Sequence, residues 1–427
     1  MNALVIFSLL AVLMLTGMPI SISLGLTVLT FLFTMTQVPL ESVALKLFTG
    51  IEKFEIMAIP FFILAGNFLT HGGVAKRMIN FATAMVGHWY GGLGLAGVVA
   101  CALFAAVSGS SPATVVAIGS ILLPAMVKAG FPNRFGAGVI STSGALGILI
   151  PPSIVMVMYS VATNTSVGAL FMAGVIPGLA LAATLGGVTW YRARKFDYPR
   201  QPKASWAERW VAFRKSVWGL FLIVVVMGGI YTGIFTPTEA AAMSAVYAFI
   251  VAVFIYRDMG LKDVPKVLLN SANMSAMLLY IITNAVLFSF IMTNENIPQA
   301  LADWMLGNGL GVVAFLLAVN VILLLAGNFM EPSSIVLIFA PILFPVATAL
   351  GIHPVHFGIL MVVNMEVGMC HPPVGLNLYV ASGITKMGIT ELTVAVWPWL
   401  LSMLGFLAVV TYWPDLSLWL PRQLGML

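Results

Sequence analysis

Charge is what this sequence has least of. Only 8% of its 427 residues are Asp, Glu, Lys or Arg, against about 25% in a soluble domain. A water-soluble globular fold is therefore excluded. Cysteine is nearly absent as well. Cys101 and Cys370 both lie in apolar sequence and read as buried thiols, ahead of a disulfide or a metal site. There is no His-Glu-x-x-His, no Gly-x-Ser-x-Gly and no nucleotide loop with its lysine. These absences argue against an intramembrane enzyme and against ATP-driven transport by this chain alone. No basic region precedes the first apolar run, so no cleavable signal peptide is expected. Gly92-Leu-Gly-Leu-Ala-Gly97 matches G-x-G-x-x-G, but no βαβ unit surrounds it, and close helix packing is the better account. His353-Pro-Val-His356 reads as interfacial, since Pro354 argues against a regular helix and no other ligand cluster is visible.

What is present is apolar. Hydrophobic residues make up 61% of the chain and the mean hydropathy is +1.06. Runs such as Val217–Phe235 and Val312–Phe329 are continuous, where a β-barrel would alternate. The expected fold is an all-α polytopic membrane protein with roughly ten to twelve helices. Eight of the 19 Lys and Arg fall between Arg192 and Lys215, opposed only by Asp197 and Glu208. This is a cytoplasmic loop under the positive-inside rule, able to touch anionic lipid. It is not a nucleic-acid signal. Trp206, Trp210 and Phe213 interleave with the bases, which predicts a short helix lying on the membrane surface.

Several apolar runs are interrupted. Ala3–Met35 breaks at Thr16-Gly-Met-Pro19, giving two spans or one sharply broken one. Leu93–Val127 is interrupted at Ser108–Thr114, and Phe135–Val161 at Gly144-Ala-Leu-Gly-Ile-Leu-Ile-Pro-Pro-Ser153. Gly311–Ala347 is interrupted at Asn328–Ser334, and Phe357–Val380 at Asn364–Gly375. Prolines remove amide donors and clash with the preceding turn. In a membrane the freed backbone groups need protein, water or an ion. The interruptions recur: Pro124, Pro151, Pro152, Pro177 and Gly147 match Pro345, Pro372, Pro373, Pro398 and Gly368 at an offset of 221 residues. Random placement of 23 prolines gives about one match at a chosen offset, so the chain reads as a duplication.

Charge sets the orientation of the copies. Lys76, Arg77, Lys128 and Arg134 flank the first interrupted hairpin, whereas the loops around the second carry no Lys or Arg. The hairpins therefore open to opposite sides. The expected organisation is a first inverted repeat over 1–190 (hairpin about 93–127, broken helix about 135–161) and a basic connector over 191–216. A second repeat follows over 217–427 (hairpin about 311–347, broken helix about 357–380). Each half has five spans and a re-entrant hairpin, the pattern of a transporter.

The chemistry concentrates at the interruptions. Ser108, Ser110, Ser111 and Thr114 bring hydroxyls to the first tip; Asn328, Glu331, Ser333 and Ser334 bring polar groups to the second. A tip beside an unwound helix offers the oxygens that a hard cation wants, and two copies predict two sodium sites. Small residues that merely permit close packing are the plainer reading of either tip alone. Glu331 and Glu366 are costly at membrane depth and are either hydrogen-bonded structural carboxyls or ion or proton ligands. Glu239 reads as a helix cap. No Lys or Arg lies in a tip or break, so an anionic substrate would depend on bound cations, helix N-termini and hydroxyls. Thr163 and Asn164 past the first break, and Asn377 past the second, are further candidate donors.

Gly109-Ser-Ser-Pro-Ala-Thr-Val-Val-Ala-Ile-Gly119, Ser143–Ser153, Thr236-Pro-Thr-Glu-Ala-Ala-Ala242 and Asn364–Asn377 resemble the large membrane subunit of TRAP (tripartite ATP-independent periplasmic) transporters over essentially the whole chain. Leu45–Phe54 and Gly87–Gly91 make it most similar to the C4-dicarboxylate type, with sialic acid or another organic acid as the alternative. The resemblance implies a sodium-driven symporter of the bacterial inner membrane working as an elevator, with no cofactor beyond the coupling ion. It implies a periplasmic substrate-binding protein and a small four-helix membrane subunit as partners, the latter not expected to be fused here. It implies one sodium site at Ser108, Ser110, Gly144, Gly147 and Pro151, mostly through carbonyls, and another at Asn328, Gly368, Cys370 and Pro372. Substrate would meet Ser110, Ser111 and Ser334. A free-standing sodium–dicarboxylate carrier and a non-transporting membrane scaffold are the rival readings.

Overall fold

A computed structural model describes residues 2–36, 38–372 and 375–427. Pro373, one member of the repeat, and Val374 in the second break lie outside these. Among the described residues the structure is all-helical, and eight helices are long and apolar enough to cross a membrane. The first copy opens with α1 (Asn2–Leu15) and α2 (Ile20–Met35), so the first apolar run is two helices turned at Gly17, whose φ is +82°. The interfacial α3 (Leu40–Ile51) follows, then α4 (Ala58–His71) and α5 (Val74–Val86). The hairpin is α6 (Gly92–Ser108) and α7 (Ser111–Lys128). The broken helix is α8 (Asn133–Ser143) and α9 (Ile154–Thr163), and α10 (Val167–Lys195) closes the copy.

The second copy begins with α11 (Trp206–Ile223), which runs through a wide turn into α12 (Gly229–Tyr231). After it come α13 (Pro237–Ile250), α14 (Val264–Asn294) and the short α15 (Ile297–Gly307). The second hairpin is α16 (Val312–Gly327) and α17 (Pro332–Ala349). The second broken helix is α18 (Pro354–Cys370) and α19 (Leu376–Thr385). Last are α20 (Ile389–Tyr412) and α21 (Asp415–Gln423).

The basic segment is built differently from the expected surface helix. Arg192, Arg194 and Lys195 form the last turn of α10, while Trp206, Arg209 and Trp210 open the long apolar helix that continues to Tyr231. A capping box explains the start at Trp206: the Glu208 amide donates to Ser205 Oγ, and the Ser205 amide donates to the Glu208 carboxylate. Thr236 and Glu239 form the same box at α13.

Contacts sort the helix ends into two groups. Arg77 pairs with Asp258 and stacks on Tyr256, whose hydroxyl donates to the Lys215 carbonyl at 2.8 Å. Arg134 donates to Glu391 at 2.7 Å, and Arg200 stacks on Tyr90. The connector, both ends of the first hairpin and the starts of α8, α14 and α20 thus share one end. Of the 19 Lys and Arg, only Lys46, Lys53 and Arg422 lie at the other. There Asn2 meets Glu295, Thr238 donates to the Phe54 carbonyl, and Tyr159 donates to the Pro354 carbonyl. The second hairpin begins and ends on that side. The copies are therefore inverted, and the charge asymmetry that orients them is a property of the folded bundle.

The inversion interlocks the copies. The half-helix α9 packs on α17 of the second copy, and α19 packs on α7 of the first. Both hairpin tips and both breaks are thereby placed in the middle of the bundle, where irregular backbone must be enclosed by protein. Apart from this group, α4 packs tightly on α13, and α14 lies against α2, α3 and α4.

Candidate functional site

Each tip sits in the bend of its own broken helix, and glycine makes the approach possible. A Cβ on Gly147 would lie 2.5 Å from the Ser110 carbonyl oxygen and 2.7 Å from Ser111 Cα. A Cβ on Gly109, whose φ is +59°, would lie 2.9 Å from the Pro152 carbonyl oxygen. Only backbone without side chains can close this contact. In the break, helix gives way to a tighter turn at Gly144–Ile148, and α9 restarts with the Met156 amide donating to Ser153 Oγ at 3.4 Å. Pro151 and Pro152 have no amide hydrogen to offer the carbonyls of Gly147 and Ile148, four residues earlier. The first cradle is therefore rich in carbonyl oxygen. Ser108 Oγ and Thr114 Oγ1 are 2.9 Å apart, and Thr114 donates to the Ser110 carbonyl at 2.8 Å, bracing the tip. Gly144 is pressed against Val115 of α7.

The second cradle repeats the plan with different groups. Gly327 and Gly368 meet backbone to backbone, a Cβ on either being within 3.0 Å of the other's Cα. The Gly368 carbonyl accepts from the His371 amide at 3.1 Å. The carbonyls of Met369 and His371 converge on Gly375, each 2.9 Å from where its Cβ would be. His371 Nδ1–H donates to Asn328 Oδ1 at 3.0 Å, tying the tip to the break beside Pro372. Cys370 turns the other way: its thiol donates to the Ser141 carbonyl at 3.3 Å, in the first copy. Asn377 joins it there. Its Nδ2 donates to Ser111 Oγ at 2.8 Å and to the Ser141 carbonyl at 3.3 Å. Asn377 and Cys370 thus tie the second broken helix to the first tip and α8.

Between the tips and α4 and α14 lies a cavity of about 380 Å³. Ser110, Ser111, Glu331 and Ser333 face it from the tips, and Asn67 and Thr70 from α4. Met274, Met277 and Leu278 of α14 supply an apolar wall, and no Lys or Arg lines it. Ser334 is fully buried and donates to Glu331 Oε1 at 3.1 Å, so Ser333, its neighbour, is the serine on the cavity. Thr163 stands apart. It ends α9, about 15 Å along the helix from the break at 1.5 Å per residue, and its hydroxyl donates to the Tyr159 carbonyl at 2.7 Å. Asn164 beside it accepts from Lys53. Glu366 is fully buried, and among the described residues neither carboxylate oxygen has a hydrogen-bond partner.

The description of a tripartite ATP-independent periplasmic transporter, DctM component, matches residues 7–416. The chain belongs to that family. Among its relatives, the C4-dicarboxylate TRAP transporter large permease protein DctM of Rhodobacter capsulatus is 77% identical over all of both chains. The protein of the same description from Pseudomonas aeruginosa is 54% identical over 95% of each. The crystal structure of the Alcanivorax borkumensis YdaH transporter, described as having an unusual topology, covers 88% of both chains with a TM-score of 0.62 at 15% identity. That likeness is one of fold. Membership makes this a multi-pass transport protein, and the cradles and cavity are where a TRAP large permease of this sequence has polar groups in its middle.

The cavity separates the serines by role. Ser110→Ala removes a hydroxyl that lines it, and the substrate KM is expected to rise about tenfold, the value of one lost hydrogen bond. Ser334→Ala removes a hydroxyl already engaged with Glu331, and its main effect is expected on thermal stability. Uptake kinetics and melting of the two variants, side by side, test the assignment.

Proposed function

We propose that this chain is the large permease of a TRAP transporter that takes up C4-dicarboxylates such as succinate, malate and fumarate, driven by sodium. Its place is the bacterial inner membrane, with the basic end in the cytoplasm. Its partners are a small four-helix membrane subunit and a periplasmic substrate-binding protein. The observation that carries the proposal is the pairing of two oxygen-rich cradles with a cavity that holds hydroxyls, an amide and a carboxyl but no basic side chain. A dianion there needs positive charge, and sodium in the cradles supplies it where desolvation makes each charge count. The first ion would be held by carbonyls around Ser108, Ser110, Gly147 and Pro151. The second would be held by Asn328 with the carbonyls of Gly368, Met369 and His371 around Pro372. Cys370 contributes through position, since its thiol is turned to Ser141.

Binding then needs substrate and sodium together, which couples the two gradients. Hairpins and broken helices form one interlocked group, and α4, α13 and α14 another, with the cavity on the seam. Sliding of the first group against the second, an elevator movement, would carry the cavity from one side to the other. The dicarboxylate class is supported by the 77% identity to a C4-dicarboxylate permease. The test is uptake of labelled succinate into vesicles holding both membrane subunits, with a sodium gradient, with and without the binding protein. Uptake only with the binding protein is expected. Full uptake without it would make the protein a free-standing carrier, and no uptake under either condition would favour a scaffold.

A further inference from the structure

A second polar cavity, of about 280 Å³, lies at the end opposite the basic connector. Lys46 and Lys53 line it with Thr49 from the region of α3, Asn164 from the end of α9, Ser289 from α14 and Pro341 from α17. The two lysines are unusual for their location. Only three Lys or Arg lie at this end, and the third, Arg422, is paired with Asp415 at 2.6 Å. Among the described residues neither lysine has a carboxylate within ion-pair distance. Lys53 is half-buried and donates instead to the Val161 carbonyl at 2.6 Å and to Asn164 Oδ1 at 2.7 Å. Lys46 Nζ rests over the Phe290 ring at 5.3 Å. Burial holds the Lys53 ammonium below the ordinary lysine range, opposed by the charge of Glu55. An anion beside it would relieve that desolvation.

We infer that this cavity is an outer binding site for the carboxylates of the substrate, with Lys46 and Lys53 as its cations. The inference rests on the reading of the chain as a dicarboxylate permease. The inner cavity has no cation of its own, whereas the outer one has two in a space that holds about nine water volumes at roughly 30 Å³ each, room for a four-carbon diacid. Its walls come from both sides of the seam: α3 and α14 on one, α9 and α17 on the other. The site therefore exists in this form only while the two groups are in the arrangement seen here. The substrate would be gathered at the outer mouth by fixed lysines, and then passed to hydroxyls and sodium.

The experiment uses the complete complex in vesicles with binding protein outside. Succinate uptake is measured against concentration at low and high ionic strength, for wild type, Lys46→Gln, Lys46→Arg and Lys53→Met. Lys46→Gln is expected to raise KM about tenfold at low ionic strength, with little change in kcat, and the gap is expected to narrow at high ionic strength. Lys46→Arg is expected to stay near wild type. Lys53→Met also loses its hold on α9, so its kcat is expected to change too. Among the described residues the Lys46 ammonium donates no hydrogen bond, so its variants keep the inference open to refutation if Lys53→Met fails to fold. Wild-type KM for Lys46→Gln at both ionic strengths would overturn the outer site and leave the dicarboxylate reading intact. Failure of the wild-type complex to transport succinate would remove both.

Discussion

Gly147→Ala is expected to reduce transport at least about 100-fold. The added methyl would lie 2.5 Å from the Ser110 carbonyl oxygen and 2.7 Å from Ser111 Cα. Both neighbours are backbone, held by the hydrogen bonds of Thr114 and the turn at Gly109. Neither can swing aside as the end of a long side chain can. The tip must retreat from the break by several tenths of an ångström or more. A ligand shell displaced by about 1 Å costs on the order of 100-fold in rate, and overpacking adds about 1–3 kcal/mol of destabilisation. Gly187→Ala is the control. It lies on the long α10 with nothing within 4 Å of its Cβ, and near-wild-type transport is expected. Initial uptake rates normalised to protein in the vesicle, with melting curves for both variants, check the contrast.

Asn377→Leu is expected to be the second most damaging change. Asn377 is fully buried. Its side chain bonds Ser111 at the first tip and the Ser141 carbonyl of α8. Leucine matches it in rough size but leaves Ser111 Oγ without its partner, at about 1–3 kcal/mol for a buried polar group left unpaired, while the Ser141 carbonyl keeps the Cys370 thiol. The link between the copies is also lost, so transport should fall further than stability. Ser111→Ala combined with Asn377→Leu removes both partners of the two contacts between them, Ser111 Oγ with Asn377 Oδ1 and with Nδ2. The double variant is expected to be less destabilised than the sum of the singles, by about 1 kcal/mol, as contacting pairs are. Additive losses in melting experiments would show that the two side chains do not act on one another.

The breaks and the inversion were legible because proline and glycine carry their effects in the local backbone. Pro151 and Pro372 coincide with helix breaks because glycines precede them, whereas Pro124, Pro177, Pro345 and Pro398 lie inside continuous helices; the repeat offset of 221 residues shows itself along the chain. The split of Lys and Arg between hairpins likewise marks orientation without any tertiary information. Contacts between the copies were not legible. An offset pairs equivalent residues, whereas the molecule brings together inequivalent ones: Ser111 with Asn377, and Cys370 with Ser141. His371 gave no signal of its own, because its bond to Asn328 depends on how the second tip enters the break. Asn67 and Met274 sit in ordinary apolar helices and reach the cavity only through packing. Thr163 shows the opposite error: nearness to the break in sequence became distance once α9 formed between them.

The most direct measurement is the sodium dependence of succinate uptake by the full complex in vesicles, with choline replacing sodium at constant ionic strength. Two cradles that together neutralise a dianion predict a sigmoidal dependence with a Hill coefficient above one. They also predict uptake near background in choline, and Gly147→Ala shifting the curve to higher sodium. Equal uptake in choline and in sodium would contradict the proposed role of the cradles, since the cavity has no other cation with which to hold its substrate.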